Sequence, residues 1–183
     1  MGIDRWVCLN HKDDKETAVK TREVRTIDDA RQIVRERELD YVKVGLFDID
    51  GVMRGKYMQR DKFLSALDEG FGFCDVVLGW DSNDQLYDNV SVTGWHTGYG
   101  DAKVRIIPES CRELPLEERS LLFLAEFAPP TESVCPRGLL RRVLRHGKEL
   151  GFNATAACEF EFFLFEETPH SAREKNFRNL KSI

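Results

Sequence analysis

Residues Tyr41–Met58 read "YVKVGLFDIDGVMRGKYM". An apolar, partly alternating run climbs to Phe47 and meets Asp48, Ile49, Asp50 and Gly51. A second such run, Val52–Gln59, leads away. Val, Tyr and Phe suit a pleated, half-buried surface. Asp50-Gly51 is a turn signal, because Gly takes the positive φ that a tight connection requires. The stretch therefore predicts two antiparallel strands joined as a hairpin, and the rest of the chain is placed around it.

Upstream, Thr26 is in position to cap a helix through Ile27–Asp40. Asp28 and Asp29 favour its start, and Ile27, Ala30, Ile33 and Val34 form one apolar face. Residues 1–25 are polar and uneven and read as a loose arm. Downstream, a short helix starts near Asp61 and stops at Gly70. Residues 70–84, "GFGFCDVVLGWDSND", read as a glycine-rich loop. Strand-like pieces follow at 90–95, 102–107 and 120–127, and then a break at Pro129-Pro130. Pro136 opens a second long helix that Gly151 ends. Residues 152–167, "FNATAACEFEFFLFEE", read as a long buried strand, and a polar segment, 168–183, closes the sequence. The expected fold class is α+β. It comprises an arm and helix (1–37), a compact domain (38–131), and a helix–strand unit (136–183) that cannot bury both faces of its strand alone.

A net charge of −5, with 27 basic and 32 acidic residues, gives no reason to expect nucleic acid or an anionic membrane as partner. The five cysteines are widely spaced and form no C-x-x-C, which argues against a disulfide framework or a zinc site. Thiols of this kind suit a reducing cytoplasm. The first sixteen residues lack the apolar core of a signal peptide, and no apolar run reaches the roughly 18 residues of a membrane span. Met1-Gly2 is a weak myristoylation cue, with Trp6 where Ser or Thr is usual.

The best candidate chemistry lies in Cys158–Phe165, "CEFEFFLF". On a strand, Glu159 and Glu161 share one face, with Cα atoms about 6.6 Å apart, while Phe160, Phe162 and Leu164 face the other way. Two carboxylates beside an apolar strand need positive compensation. Lys or Arg would supply it, and so would Mg²⁺ or Mn²⁺ with hard oxygen ligands. From the pattern, an ion-pair role and a metal role stand equally open.

Other residues invite weaker readings. Asp48-x-Asp50-Gly51 resembles the first motif of haloacid-dehalogenase-type phosphatases, in which one Asp is the nucleophile and the next the acid/base. Their second acidic pair has no counterpart after Gly100-Asp101, and the alternating strands and helices are missing, so a hairpin turn accounts for the motif better. Arg54 and Lys56 read as solvated hairpin charges. His96 and Asp101 suit a turn or an interface. Arg137, Arg141, Arg142, Arg145 and Lys148, at helical spacing, read as a solvated face.

"ACEFEFFLFEE", preceded by "PRGLLRRVLRHGKELGF", resembles the start of the catalytic domain in the glutamine synthetase family. Asp48, Gly51, Arg54, Gly55 and Lys56 resemble the pattern of that family's first β-grasp hairpin, and "GYGDAKVRIIPES" fits the family order. The resemblance covers about residues 38–181. It implies a β-grasp domain at 38–131 and the beginning of a catalytic domain at 136–183. It also implies an ATP-dependent glutamate–ammonia or glutamate–amine ligase acting through γ-glutamyl phosphate.

By position in that family, Glu161 matches a ligand of the Mg²⁺ or Mn²⁺ nearer the glutamate. Glu159 matches a ligand of the metal on the ATP phosphates. Asp75 matches a residue that binds ammonium, on a loop that reaches a neighbouring subunit in a homo-oligomeric ring. Val76-Val77 replace the family's Gly-Ser-Ser, which leaves ammonia and larger amines open as nitrogen donors. On its residues alone, Asp75 is equally a loop cap. Trp80 of the Gly79-Trp80 pair reads as subunit-interface packing. Most of the ATP pocket and the remaining ligands are expected outside these 183 residues. The polypeptide is therefore expected to be the inactive N-terminal portion of such a ligase. The competing expectation is a non-catalytic assembly subunit, and the outside alternative is a phosphatase acting through Asp48 and Asp50.

Overall fold

Thr26 starts the first helix. Its hydroxyl accepts the Asp29 N–H while the Asp29 carboxylate accepts the N–H groups of Thr26 and Arg25 at 2.9 Å, a reciprocal cap that satisfies otherwise orphaned donors. These bonds hold the Asp29 carboxyl below its ordinary range. The computed structural model describes residues 19–117 and 119–183. Most of the expected arm, with Cys8 and the Met1-Gly2 cue, lies outside the described residues. Of the arm's remainder, Thr21 and Val24 are buried, so its final turn packs onto the core.

The chain divides into two compact units, one up to His146 and the other Gly147–Ile183. The first contains α1 (Ile27–Glu36), β1 (Tyr41–Phe47), β2 (Met53–Gln59), α2 (Arg60–Glu69), β3 (Phe71–Cys74), β4 (Asp101–Glu113), β5 (Leu121–Phe127) and most of α3 (Pro136–Glu149). The strands form one mixed sheet in the order β2-β1-β5-β4-β3. β1 and β5 run parallel at its centre, and every other pair is antiparallel. The fold class is α+β, as expected. The hairpin also forms as expected, with Gly51 at φ +82 in its turn.

Alternation builds the core. Val42, Val44 and Leu46 of β1 and Leu121, Phe123, Ala125 and Phe127 of β5 are buried beneath Ala30, Ile33 and Val34 of α1 and Phe63 and Ala66 of α2. The rings of Phe63 and Phe123 lie 4.9 Å apart. The sheet is curled enough that its two edge strands approach each other. The Lys56 ammonium on β2 lies over the rings of Phe71 and Phe73 on β3, at 5.4 and 4.8 Å.

Two strand expectations change. Phe71–Cys74, read as loop, pairs with Asp101–Val104 as β3, whereas residues 90–95 form bends and turns. Strand β4 is longer than expected and carries an irregularity between Ile107 and Arg112.

In the second unit, Gly151 (φ +87) ends α3 with two bonds, Phe152 N–H to Gly147 O and Gly151 N–H to Lys148 O. The long strand expected over 152–167 does not form. Residues 152–164 have no regular structure and are exposed, Phe160 by 85%. A strand needs an edge to take its backbone donors and acceptors. Among the described residues of this unit, only Leu164–Glu166 finds one, pairing antiparallel with Lys181–Ile183 around Phe165 and Ser182. Glu167, next to that pairing, accepts from Lys175, and Thr168 caps the short α4 (Pro169–Glu174).

Candidate functional site

The most developed polar cluster grows from the hairpin turn. Asp48 is fully buried. Its Oδ1 accepts the N–H groups of Asp50 and Val52 at 3.1 and 2.8 Å, and its Oδ2 accepts Arg54 Nε at 2.7 Å. The D-x-D-G stretch is thus a turn folded around its own first carboxylate. Both oxygens accept hydrogen bonds and the residue is fully buried, so Asp48 is not presented to a substrate as a nucleophile must be.

Arg54 is not a solvated charge. Its Nη1 reaches Asp84 at 2.8 Å, and its guanidinium lies 4.9 Å from the Trp80 ring centroid. Its charged form is favoured first by the Asp48 bond. The turn is stitched to the following loop at two further points. Asp50 Oδ2 accepts Ser82 N–H at 2.8 Å, and Ile49 N–H donates to Val77 O at 3.1 Å. Tyr87 approaches the same carboxylate, and its hydroxyl is shifted up by burial and by Asp50.

That loop carries two residues singled out from sequence. Asp75 opens a short 3₁₀ turn, Asp75–Leu78. Its N–H donates to Gly100 O at 3.0 Å, and its Oδ1 accepts the Thr93 hydroxyl at 2.5 Å. Trp80, half-buried, pairs with Leu86 and sits under Arg54. His96 closes a local turn on Ser91 O, and Asp101 begins β4 opposite Cys74.

Glu159 and Glu161 lie in the exposed 152–164 segment of the second unit. They are hard oxygen donors of the kind Mg²⁺ or Mn²⁺ takes, and so fit part of such a site. No group of three or more His, Cys, Asp or Glu able to hold a metal occurs among the described residues.

Sequence reasoning missed Glu126. It lies in the apolar run of β5 and is 3% exposed. Its Oε1 accepts Arg105 Nε at 2.9 Å and also Arg141, and its Oε2 is 3.7 Å from Arg137 Nε. Arg141 continues to Glu132, and Arg142 donates to the carbonyls of Glu132 and Ser133. The face of α3 expected to be solvated is therefore partly docked by ion pairs, while Leu139, Leu140 and Val143 are more than half exposed. A lone charge inside "LLFLAEF", with basic residues at helical spacing downstream, was the available signal. Cys111 is fully buried, and burial pushes its thiol up to about 12, which disfavours the thiolate.

Comparison with known proteins places this arrangement. Residues 133–183 match the glutamine synthetase catalytic domain. Type-1 glutamine synthetase 2 of Dictyostelium discoideum is 40% identical over 146 residues, 78% of this chain and 28% of that protein.

The chain belongs to the glutamine synthetase family.

A glutamate–isopropylamine ligase of Pseudomonas sp is 32% identical over 161 residues, covering 84% of this chain and 34% of the ligase. The chain thus spans about a third of the length of the curated relatives it matches. Among solved structures, GmaS without ligand has a TM-score of 0.50 at 21% identity, covering 66% of this chain and 26% of that one. A Plasmodium falciparum glutamine synthetase also reaches 0.50, at 12% identity, covering 69% and 23%. Both likenesses speak to the fold. No helix among the described residues is long and apolar enough to cross a membrane.

Proposed function

We propose that these residues are the N-terminal portion of an ATP-dependent glutamate–ammonia or glutamate–amine ligase. The observation that carries the reading is the set of relatives. Sequence similarity over 78% and 84% of the chain leads to a glutamine synthetase and a glutamate–isopropylamine ligase. The parallel β1–β5 pair, flanked by the hairpin and covered by α1 and α2, supports a β-grasp module over 38–131. The exposed leucines of α3 and the exposed Phe160, Phe162 and Phe163 support a catalytic domain that begins at 136–183 and continues in further chain.

In this reading the γ-carboxylate of glutamate attacks the γ-phosphorus of ATP and ADP leaves. The amine, once its ammonium form has given up a proton, then attacks the acyl carbon. The C–O bond to phosphate breaks, phosphate leaves, and the nitrogen loses a second proton as the amide forms. Asp75 accepts a hydrogen bond from the ammonium or alkylammonium donor and holds it in a homo-oligomeric ring, at a site completed by a neighbouring subunit. Glu159 and Glu161 hold Mg²⁺ or Mn²⁺, which offsets the charge on the transferring phosphoryl group. Two carboxylates do not satisfy a near-octahedral ion, so the other ligands come from further chain.

The test is to purify the native gene product and incubate it with ATP, Mg²⁺, glutamate and a panel of ammonia, alkylamines and polyamines. The expected result is a γ-glutamyl amide by mass spectrometry from the native product, and none from residues 1–183 alone. A native product that forms no amide with any of these amines, yet co-purifies with a longer relative, would point to the assembly subunit instead.

A further inference from the structure

Thr93 is 1% exposed in a stretch, residues 91–100, that is otherwise half-buried or exposed. A threonine buried in a loop has to place both branches of its side chain, and here the two placements are distinct. Its hydroxyl donates to Asp75 Oδ1 at 2.5 Å. Its methyl group fills the space beside Gly79, where a Cβ would come within 2.6 Å of Thr93 Cγ2. Gly79 has an ordinary negative φ of −131, so what glycine provides at this position is room for that methyl group. The same stretch holds Asp75 from its far end, through the Asp75 N–H bond to Gly100 O, and Cys74 Sγ donates to Tyr99 O at 3.3 Å.

We propose that Thr93 is a positioning residue for the amine-binding carboxylate. Its methyl, seated on Gly79, fixes the hydroxyl. The hydroxyl then fixes the Asp75 carboxylate by occupying one oxygen, which leaves the other for the incoming ammonium or alkylammonium group. This inference rests on the ligase reading and on the place of Asp75 within it. A bond to a charged acceptor is among the stronger neutral-donor bonds, and a carboxylate that loses it regains rotamers unproductive for the amine.

The experiment compares the native full-length protein with its Thr93→Val, Thr93→Ser, Gly79→Ala and Asp75→Asn variants, measuring steady-state constants for amine, glutamate and ATP. Thr93→Val keeps the methyl contact and loses the donor. It is expected to raise KM for the amine about tenfold while KM for ATP and glutamate stays within about twofold. Thr93→Ser keeps the donor without the methyl seat and is expected to fall between the native protein and the valine variant. Gly79→Ala displaces Thr93 from outside and is expected to reproduce the valine phenotype.

An unchanged amine KM in Thr93→Val overturns the inference. So does a common rise in all three KM values, which would mark general loosening, or a serine variant as poor as the valine one. If Asp75→Asn leaves the amine KM unaltered, the place of Asp75 falls and the role of Thr93 falls with it, while the ligase reading stands. If the native protein makes no γ-glutamyl amide, both fall.

Discussion

Lys56 and Phe73 stand on opposite edge strands of the sheet, yet the Lys56 ammonium is 4.8 Å from the Phe73 ring. The sheet therefore curls almost onto itself, and the hairpin turn arrives beside the loop that follows β3. Arg54, Asp50 and Ile49 then need only short bonds to reach Asp84, Ser82 and Val77. The motif that resembles a nucleophile in sequence serves in the fold as the brace of a loop.

That brace predicts a specific stability loss. Asp48→Ala leaves two N–H groups and the Arg54 guanidinium without their acceptor in a buried place. We expect destabilisation of about 3 kcal/mol in urea unfolding. Trp80 fluorescence should change in the native baseline, because Arg54 leaves its ring face. A loss below about 1 kcal/mol would mean that the turn holds without its carboxylate.

Glu126 and Arg141 should be energetically coupled. A double-mutant cycle of Glu126→Gln and Arg141→Ala is expected to give an interaction energy of about 1–2 kcal/mol, more than an exposed pair provides. The coupling should persist at high salt, because the carboxylate is 3% exposed. Additive single effects would mean that α3 is docked by something other than this ion pair.

In the second unit, the Lys175 ammonium, followed by the Ser171 hydroxyl, lowers the Glu167 carboxyl from 4.5 to about 2. The folded form thus favours the carboxylate. Its contribution is present in full above the unfolded pKa and is lost as pH falls from about 4.5 towards 2. NMR titration of the Glu167 side chain should show its midpoint near the low end of that window, with the amides around α4 losing exchange protection as it protonates. A midpoint near 4.5 would contradict the Lys175 contact.

Local signals made most of the first unit legible. The Thr26 cap, the Asp50-Gly51 turn, the stop at Gly70, and Pro136 and Gly151 at the ends of α3 each act through a few neighbouring residues, and each appears where the sequence put it. What failed depended on distant partners. β3 has the composition of a loop and is a strand only because β4 lies beside it. The 152–164 run has the composition of a strand and lacks an edge to pair with among the described residues of its unit. Of the candidate site, Asp75 and Trp80 were visible in sequence. Their supports come from distant chain, Thr93 lying 18 residues from Asp75 and Arg54 26 residues from Trp80, while Asp48, which holds Arg54, has the sequence signature of a turn residue. Glu126 escaped notice because its three arginines converge only in the folded state.

The most direct test of the ligase account follows an oxygen atom. Glutamate labelled with ¹⁸O in its γ-carboxylate is supplied with ATP, Mg²⁺ and the accepted amine to the native full-length protein, and the released phosphate is analysed by mass spectrometry. Activation through γ-glutamyl phosphate transfers one carboxylate oxygen to phosphorus, and amine attack expels it there, so each phosphate released with product should carry one atom of label. Unlabelled phosphate would mean that water, not glutamate, attacks ATP, and would contradict the account.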